Sequence, residues 1–314
     1  LERVFQSLEQ RDLKAAVQVC RRWREAAEAP QLWAGVCIRA AGEGLAGLQE
    51  VLASRRLLLL RRLSLEDGGS ACQGLLEEVL RHRGLRKVVL RGCNFSSVAP
   101  GHLEGLVSRL EQLELAETAL TDTQQHALFE AVVLAPKLRK LSVSHTDLSS
   151  VCPSLLAQAT SRLEEVALRS AELTGPQMEE ILTALDSGTR LERLDLAGNL
   201  HLLQVDAGLM TAALEELEYL DISLVVFPAP DVATIFTAFG LMTGEKSLRI
   251  GYNNGTYRKS PVSETSIFAA QRSSEVLTRK MENACEEVSQ VESGTRMPAN
   301  LITKIAGCLL FGHY

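Results

Sequence analysis

Large rings are scarce in this chain. Phe, Trp and Tyr make up 4% of its 314 residues, against a hydrophobic share of 46%. Leucine, with 53 copies, is left to fill any core. Basic excess is missing too. The formal charge is −6, which argues against a general nucleic-acid binder, whose domain is usually strongly basic. No apolar run approaches the roughly 20 residues that span a bilayer. The best candidates are 223–242, broken by Pro228, Pro230 and Asp231, and 305–312, which is too short. No secretory signal opens the chain, and it starts on Leu1 rather than Met, which points to a missing or processed N-terminus. No C-x-x-C is present. The seven cysteines (20, 37, 72, 93, 152, 285 and 308) are odd in number and widely spaced. That pattern fits free thiols in cytosol or nucleus better than a disulfide framework. Without a signal peptide, the sequons at Asn94 and Asn254 are read as chance.

The leucines are unevenly spread. Residues 57–224 hold 40 of them and residues 256–314 hold 4. Within the dense block an L-x-x-L-x-L pattern recurs, from Leu60/Leu63/Leu65 through Leu85/Val88/Leu90 to Leu217/Leu220/Ile222, with a degenerate copy at Leu248/Ile250. Its central positions are 63, 88, 113, 141, 166, 194, 220 and 248, spaced by 25 to 28 residues. That is the period of a leucine-rich repeat. Three residues beyond the last patterned apolar position come Gly68, Cys93, Thr118, Thr146, Ala171, Asn199, Val225 and Asn253. This is the repeat's Asn/Cys position, where a small polar group bonds backbone left open between turns. Cys93 reads as such a ladder residue, and Cys72 and Cys152 as small buried fillers.

Alternation in L-x-L makes a short strand with one face inward. The rest of each period reads as a helix over 71–83, 122–135 and 231–239, and after Gly175-Pro176, where Thr174 is the expected N-cap. Strand plus helix repeated about eight times predicts an α/β fold, a curved solenoid or horseshoe over 57–255 with strands on the concave side. Ahead of it lie an all-α block at 1–40 and a helical connector at 41–56. Beyond it, 256–314 reads as a polar linker, an amphipathic helix over 264–291 carrying Leu277, Met281, Ala284, Val288 and Val291, and an apolar tail. A terminal cap over the solenoid is its expected role, with partner docking as the alternative.

The first 40 residues do not follow the repeat. Val4, Phe5 and Leu8 share a helix face, Asp12 reads as an N-cap, a helix from Leu13 to Trp23 follows, and Pro30 opens a short helix with Leu32 and Trp33. The block is small for an independent core and holds both tryptophans of the chain, which points to a surface meant for a partner. Leu8, Asp12-Leu13, the run Val19-Cys20-Arg21-Arg22-Trp23-Arg24 and Leu32-Trp33 resemble the F-box, without its usual leading Leu-Pro. Together the two parts are similar to the F-box/leucine-rich-repeat family. That resemblance implies a substrate receptor of a Skp–cullin–F-box ubiquitin ligase, cytoplasmic or nuclear, whose F-box docks the Skp adaptor and through it a cullin. It makes Leu8, Leu13, Val19, Cys20, Trp23, Leu32 and Trp33 the candidates for adaptor contact, with Trp23 equally placed to fill the F-box's own interior.

The strand positions between the patterned leucines are the candidates for a protein target: Arg62, Lys87, Arg91, Glu117, His145, Arg169, Asp195, Tyr219 and Asp221. Residues 55–91 hold nine Lys/Arg against four Asp/Glu, a local basic patch that fits either a solvated mixed-charge face or an acidic or phosphorylated target segment. No catalytic, cofactor or metal constellation is expected. The run 240–247 (GLMTGEKS) has the wrong spacing for a phosphate loop and follows a predicted helix instead of a strand. Neither membrane nor nucleic acid is an expected partner. The competing reading is a leucine-rich-repeat scaffold or inhibitor without any ligase.

Overall fold

The patterned leucines become the interior rows of parallel strands. The computed structural model of the chain describes residues 2–259 except 6, 9, 35–36, 46, 55–56, 186–188, 202–204, 226, 228, 243–245 and 252–255. Most of the C-terminal segment, including the helix expected over 264–291, the apolar tail and the cap they were read to form, lies outside the described residues. The chain divides into two compact units, Leu1–Leu155 and Leu156–Tyr314.

The first unit opens with four short helices, α1 (Glu2–Phe5), α2 (Gln10–Val19), α3 (Arg21–Ala27) and α4 (Pro30–Trp33). A strand β1 (Cys37–Ala41), a 3-10 turn (Gly42–Leu45) and α5 (Leu48–Leu52) come next. Strands and helices then alternate: β2 (Arg62–Gly69), α6 (Ala71–Arg81), β3 (Lys87–Cys93), α7 (Pro100–Val107), β4 (Gln112–Ala116), α8 (Asp122–Leu134) and β5 (Lys140–Ser144). All five strands pair in parallel, in chain order. Leu63, Val88, Leu113 and Leu141 stand in one register row, and Leu65, Leu90, Leu115 and Val143 in the next but one. Every one of these eight is at most 2% exposed. Fully burying such a side chain stabilises the fold by about 1.5–3 kcal/mol. The rows therefore hold the register, because a one-residue slip would turn all of them to water.

After α9 (Pro153–Ser161), the second unit repeats the arrangement with β6 (Glu165–Ala167), α10 (Gly175–Leu185), β7 (Arg193–Asp195), α11 (Ala207–Glu216), β8 (Tyr219–Ser223), α12 (Ala229–Leu241) and β9 (Lys246–Gly251). These four strands are parallel, with Val166, Leu194, Leu220 and Leu248 in one row. The last strand, β10 (Thr256–Lys259), pairs antiparallel with β9, where the sequence suggested the start of a polar linker.

Several local expectations change. The helix read from Leu13 to Trp23 is two helices, because Cys20 is fully extended at φ −160° and ψ 169° and starts a new one. Asp12 sits inside the first turn of α2, which begins at Gln10, so it complements the helix dipole instead of capping. Cys152 is exposed, not a buried filler. Cys72 and Cys93 are joined as a disulfide with Cα atoms 5.8 Å apart, which corrects the reading of every cysteine as a free thiol. Cys72 lies at the start of α6 and Cys93 at the end of β3, and the repeat stacks those two ends together.

The ladder position behaves as the repeat requires. In the first unit Thr118 Oγ1 donates to the carbonyls of Leu90 (3.3 Å) and Ala116 (3.1 Å), and Thr146 Oγ1 donates to Thr118 O (3.4 Å). In the second, Asn199 is 1% exposed. Its amide donates to Leu168 O (2.7 Å) and Leu196 O (2.9 Å), and its oxygen accepts from the N–H groups of Ala171 and Leu173. One side chain thus satisfies four backbone groups that would otherwise be buried and unpaired.

Seven strands, β2 to β8, also carry a left-handed residue near or just beyond their C-terminal end. Asp67, Gly92, Glu117 and His145 in the first unit, and Ser170, Gly198 and Leu224 in the second, all have φ between 48° and 75°. Each follows its central apolar residue by four positions. The conformation turns the chain off the strand face so that the ladder residue can point back inside.

Candidate interaction surfaces

The N-terminal helices enclose a small interior of Phe5, Leu13, Ala16, Ala27 and Trp33, all at most 3% exposed. Trp33 Nε1–H donates to Ala27 O at 2.7 Å, so its one polar atom is satisfied inside. Trp23 lies edge-on to Phe5, with ring centroids 5.3 Å apart, and remains 38% exposed. Val4 and Val19 are exposed to 63% and 61%, Cys20 is exposed, and Leu8 and Leu32 are half-buried. Of the adaptor candidates, Leu13 and Trp33 thus fill the helical interior, while Val19, Cys20 and Trp23 face outward. Val4 joins these outward-facing groups, which corrects the reading that put it on one helix face with Phe5, a residue only 2% exposed.

In β2–β4 the side chains between the leucines point to the face away from the helices. Arg62, Lys87 and Gln112 occupy one register row on adjacent strands. A recess of about 210 Å³ opens over this face. Arg39, Arg62, Lys87 and Arg91 line it together with the carboxylates of Glu66 and Glu114. Arg91 donates to Glu114 at 2.9 Å, and Ser64 Oγ donates to Glu66 at 3.0 Å. Among the described residues, no ion pair or side-chain hydrogen bond engages Arg39, Arg62 or Lys87. Arg39 comes from β1, a strand the sequence reading did not place. A second, shallower recess of about 410 Å³ is rimmed by Glu117 and His145, two left-handed, exposed residues, over Thr118 and Thr146.

The second unit gathers the remaining candidates into one ionic network. Asp221 is fully buried. Its Oδ2 accepts from Arg169 (3.1 Å) and the Tyr219 hydroxyl (3.1 Å) and is ion-paired with Arg249 at 3.0 Å. Its Oδ1 accepts from the Ser223 N–H (3.0 Å) and hydroxyl (2.6 Å). Arg169 also donates to Asp195 Oδ2 at 3.0 Å, whose Oδ1 accepts the Ala197 N–H. Arg193 stacks over the Tyr219 ring at 4.4 Å. Burial pushes the Asp195 carboxyl above the usual carboxylate value, and the charge of Asp221 adds to this against the opposing pull of the Ala197 N–H and of Arg169. Burial likewise raises the Tyr219 phenol. Asp195, Asp221 and Arg249 are one row on three adjacent strands. Arg249 was missed because it sits in the degenerate last copy of the pattern. Carrying the register through to Leu248 would have found it.

Among the described residues, no cluster of three or more His, Cys, Asp or Glu is placed to hold a metal ion. Among them, too, no helix is long and apolar enough to cross a membrane. Residues 1–39 match the model of the F-box-like family. No curated protein matches the chain. Among solved structures, a leucine-rich-repeat protein of Leptospira interrogans aligns over 69% of this chain and 91% of its own, at 12% identity and a TM-score of 0.21. That score is too low to bear on the fold, which stands on the register rows and ladder described above.

Proposed function

We propose that the chain is the substrate-recognition subunit of a Skp–cullin–F-box ubiquitin ligase, with the repeats forming a leucine-rich-repeat horseshoe. The match of residues 1–39 to the F-box-like family carries this reading, since F-box domains generally bind the Skp adaptor. The outward apolar groups Val4, Val19 and Trp23 support it, because exposed large hydrophobics on a small helical unit favour a partner surface. In this reading the adaptor connects the chain to a cullin in cytoplasm or nucleus, and the strand face holds the target. The chain performs no chemistry of its own. It raises the effective concentration of a target lysine near the conjugating enzyme.

The test is recovery of the Skp adaptor on the purified chain. Val19→Asp and Trp23→Ala change exposed groups and should lower recovery at least about tenfold with the helical circular dichroism unchanged. Leu13→Asp and Trp33→Ala are poorer probes, because both residues fill the interior and their loss unfolds the helices. Failure of the wild-type chain to retain the adaptor, or full retention by both surface variants, would sink the proposal.

A further inference from the structure

We propose that Cys72 and Cys93 are a reversible thiol–disulfide pair, closed by exchange with glutathione disulfide, that staples the glycine-rich end of β2 and the start of α6 to β3. The ladder of the repeat explains why these two sulfurs meet. Gly68 and Cys93 are the ladder residues of successive copies, 25 positions apart. Gly68 brings no side chain to its slot, and Cys72, four residues further on, fills that slot instead. A Cβ added at Gly68 would overlap Cys72 Sγ. The next slot belongs to Cys93, which pairs with Gly69 across β2 and β3. The two sulfurs therefore share one interior space, and their residues are 1% and 2% exposed.

Both redox states fit this space. In the oxidised state that the structure shows, the bond ties together residues 21 positions apart. In the reduced state Cys93 takes the ladder role. Its Sγ lies 3.7 Å from Arg91 O, within reach of a weak S–H donor. Thr118 and Thr146 donate to the carbonyls two residues before them in the same way. Opening the cross-link thus returns a donor to a slot that uses one. The cover over the pair is thin. Gly68, Gly69 and Ser70 lead directly into Cys72, the latter two of them exposed, and the β2–β3 register shifts between Glu66 and Gly69. Local opening of this segment exposes Cys72 without disturbing the leucine rows. Exchange then runs in two steps. The Cys72 thiolate attacks one sulfur of glutathione disulfide, forming a mixed disulfide and releasing one glutathione. The Cys93 thiolate attacks Cys72 Sγ, closing the 72–93 bond and releasing the second. The two thiol protons end on the two glutathiones, and the protein is oxidised as glutathione disulfide is reduced. Cys20, Cys37 and Cys152 are free and exposed among the described residues, so they stop at the mixed disulfide.

This inference is independent of the adaptor reading. To test it, the full chain is equilibrated in buffers of reduced or oxidised glutathione, quenched by alkylation and peptide-mapped by mass spectrometry. The 72–93 cross-link should fall at least about tenfold from the oxidised buffer to the reduced one, and return on reoxidation. Oxidation should raise the Tm of the wild type by at least about 5 °C and slow amide exchange at 67–71. Cys93→Ser keeps a hydroxyl donor in the ladder slot, so it should unfold with the reduced wild type and ignore the oxidant. Cys72→Ala should lose the response as well. A cross-link that persists in excess reduced glutathione overturns the inference, and so does one that never forms in the oxidised buffer. Glutathione retained on Cys72 or Cys93 in place of the cross-link, an unchanged wild-type Tm, or a Cys93→Ser chain that still responds would each do the same. The reversal is read on the wild type, so a variant that misfolds leaves the test intact.

Discussion

At the scale of single residues, Asp221 does the most work in the second unit. It is fully buried, accepts four hydrogen bonds and is ion-paired with Arg249. Asp221→Ala leaves the guanidiniums of Arg169 and Arg249 facing a void, and Arg249 Nε already has no partner. Removing one member of a buried ion pair costs about 3–5 kcal/mol. The two guanidiniums keep 27% and 24% of their side-chain surface in water, so about 3 kcal/mol is the expected loss, read as a lower urea midpoint. Asp195 gives a pH signature. Its folded pKa is raised by burial above the unfolded value of about 3.9, so between the two values the folded state binds more protons. Its contribution to stability is therefore most favourable below pH 4 and falls as pH rises through the folded value. Asp195→Asn should remove that slope. Stability curves of variant and wild type that stay parallel from pH 4 to 7 would contradict this. Gly92 is the complementary case in the first unit. At φ 60°, an added Cβ would lie 3.3 Å from Asp67 Cα. Gly92→Ala should cost about 1–2 kcal/mol, a fall of several degrees in Tm.

At the scale of elements, legibility followed periodicity. The leucine rows of β2–β9 were readable because burial repeats every 25 to 28 residues, and a run that long has one register. The left-handed strand ends were not readable. The seven residues are Asp, Gly, Glu, His, Ser, Gly and Leu, and tertiary packing imposes the conformation regardless of side chain. The break at Cys20 was hidden for a related reason: both sides of it have helical spacing, and Cys20 carries no breaker signal. Strand β1 lacks the leucine pattern altogether, and its pairing with β2 is what exposes it. Helix starts fared better. Thr121 and Gln124 form a reciprocal capping box on α8, and the Gln124 amide also donates to the carbonyls of Phe95 (2.7 Å) and Val98 (2.5 Å) on the neighbouring turn. Thr121→Ala should thus cost about 1 kcal/mol. Gln124→Ala should cost more than that, since it leaves buried carbonyls unpaired as well. Comparing the two by thermal unfolding separates capping from inter-turn bonding, and equal losses would show that the inter-turn bonds add nothing.

At the scale of the molecule, two surfaces of opposite chemistry sit on one chain, and this was legible only in part. The tryptophan-bearing start and the basic stretch at 55–91 were visible in sequence, but which of their residues face outward was not, because Trp33 and Leu13 look like surface anchors until their burial is known. The opposite chemistries give a salt test. Adaptor contact through Val4, Val19 and Trp23 is apolar, and burial of apolar area does not weaken with salt. Anion contact through Arg62 and Lys87 is between exposed charges, whose attraction is screened as the Debye length falls from about 10 Å at 0.1 M to about 3 Å at 1 M. Raising salt over that range should leave adaptor recovery unchanged or higher, while any anion contact at Arg62 and Lys87 weakens. A charge-driven adaptor contact would instead lose recovery as salt rises. That outcome would move the adaptor surface from Val19 and Trp23 to the neighbouring arginines at 21, 22 and 24.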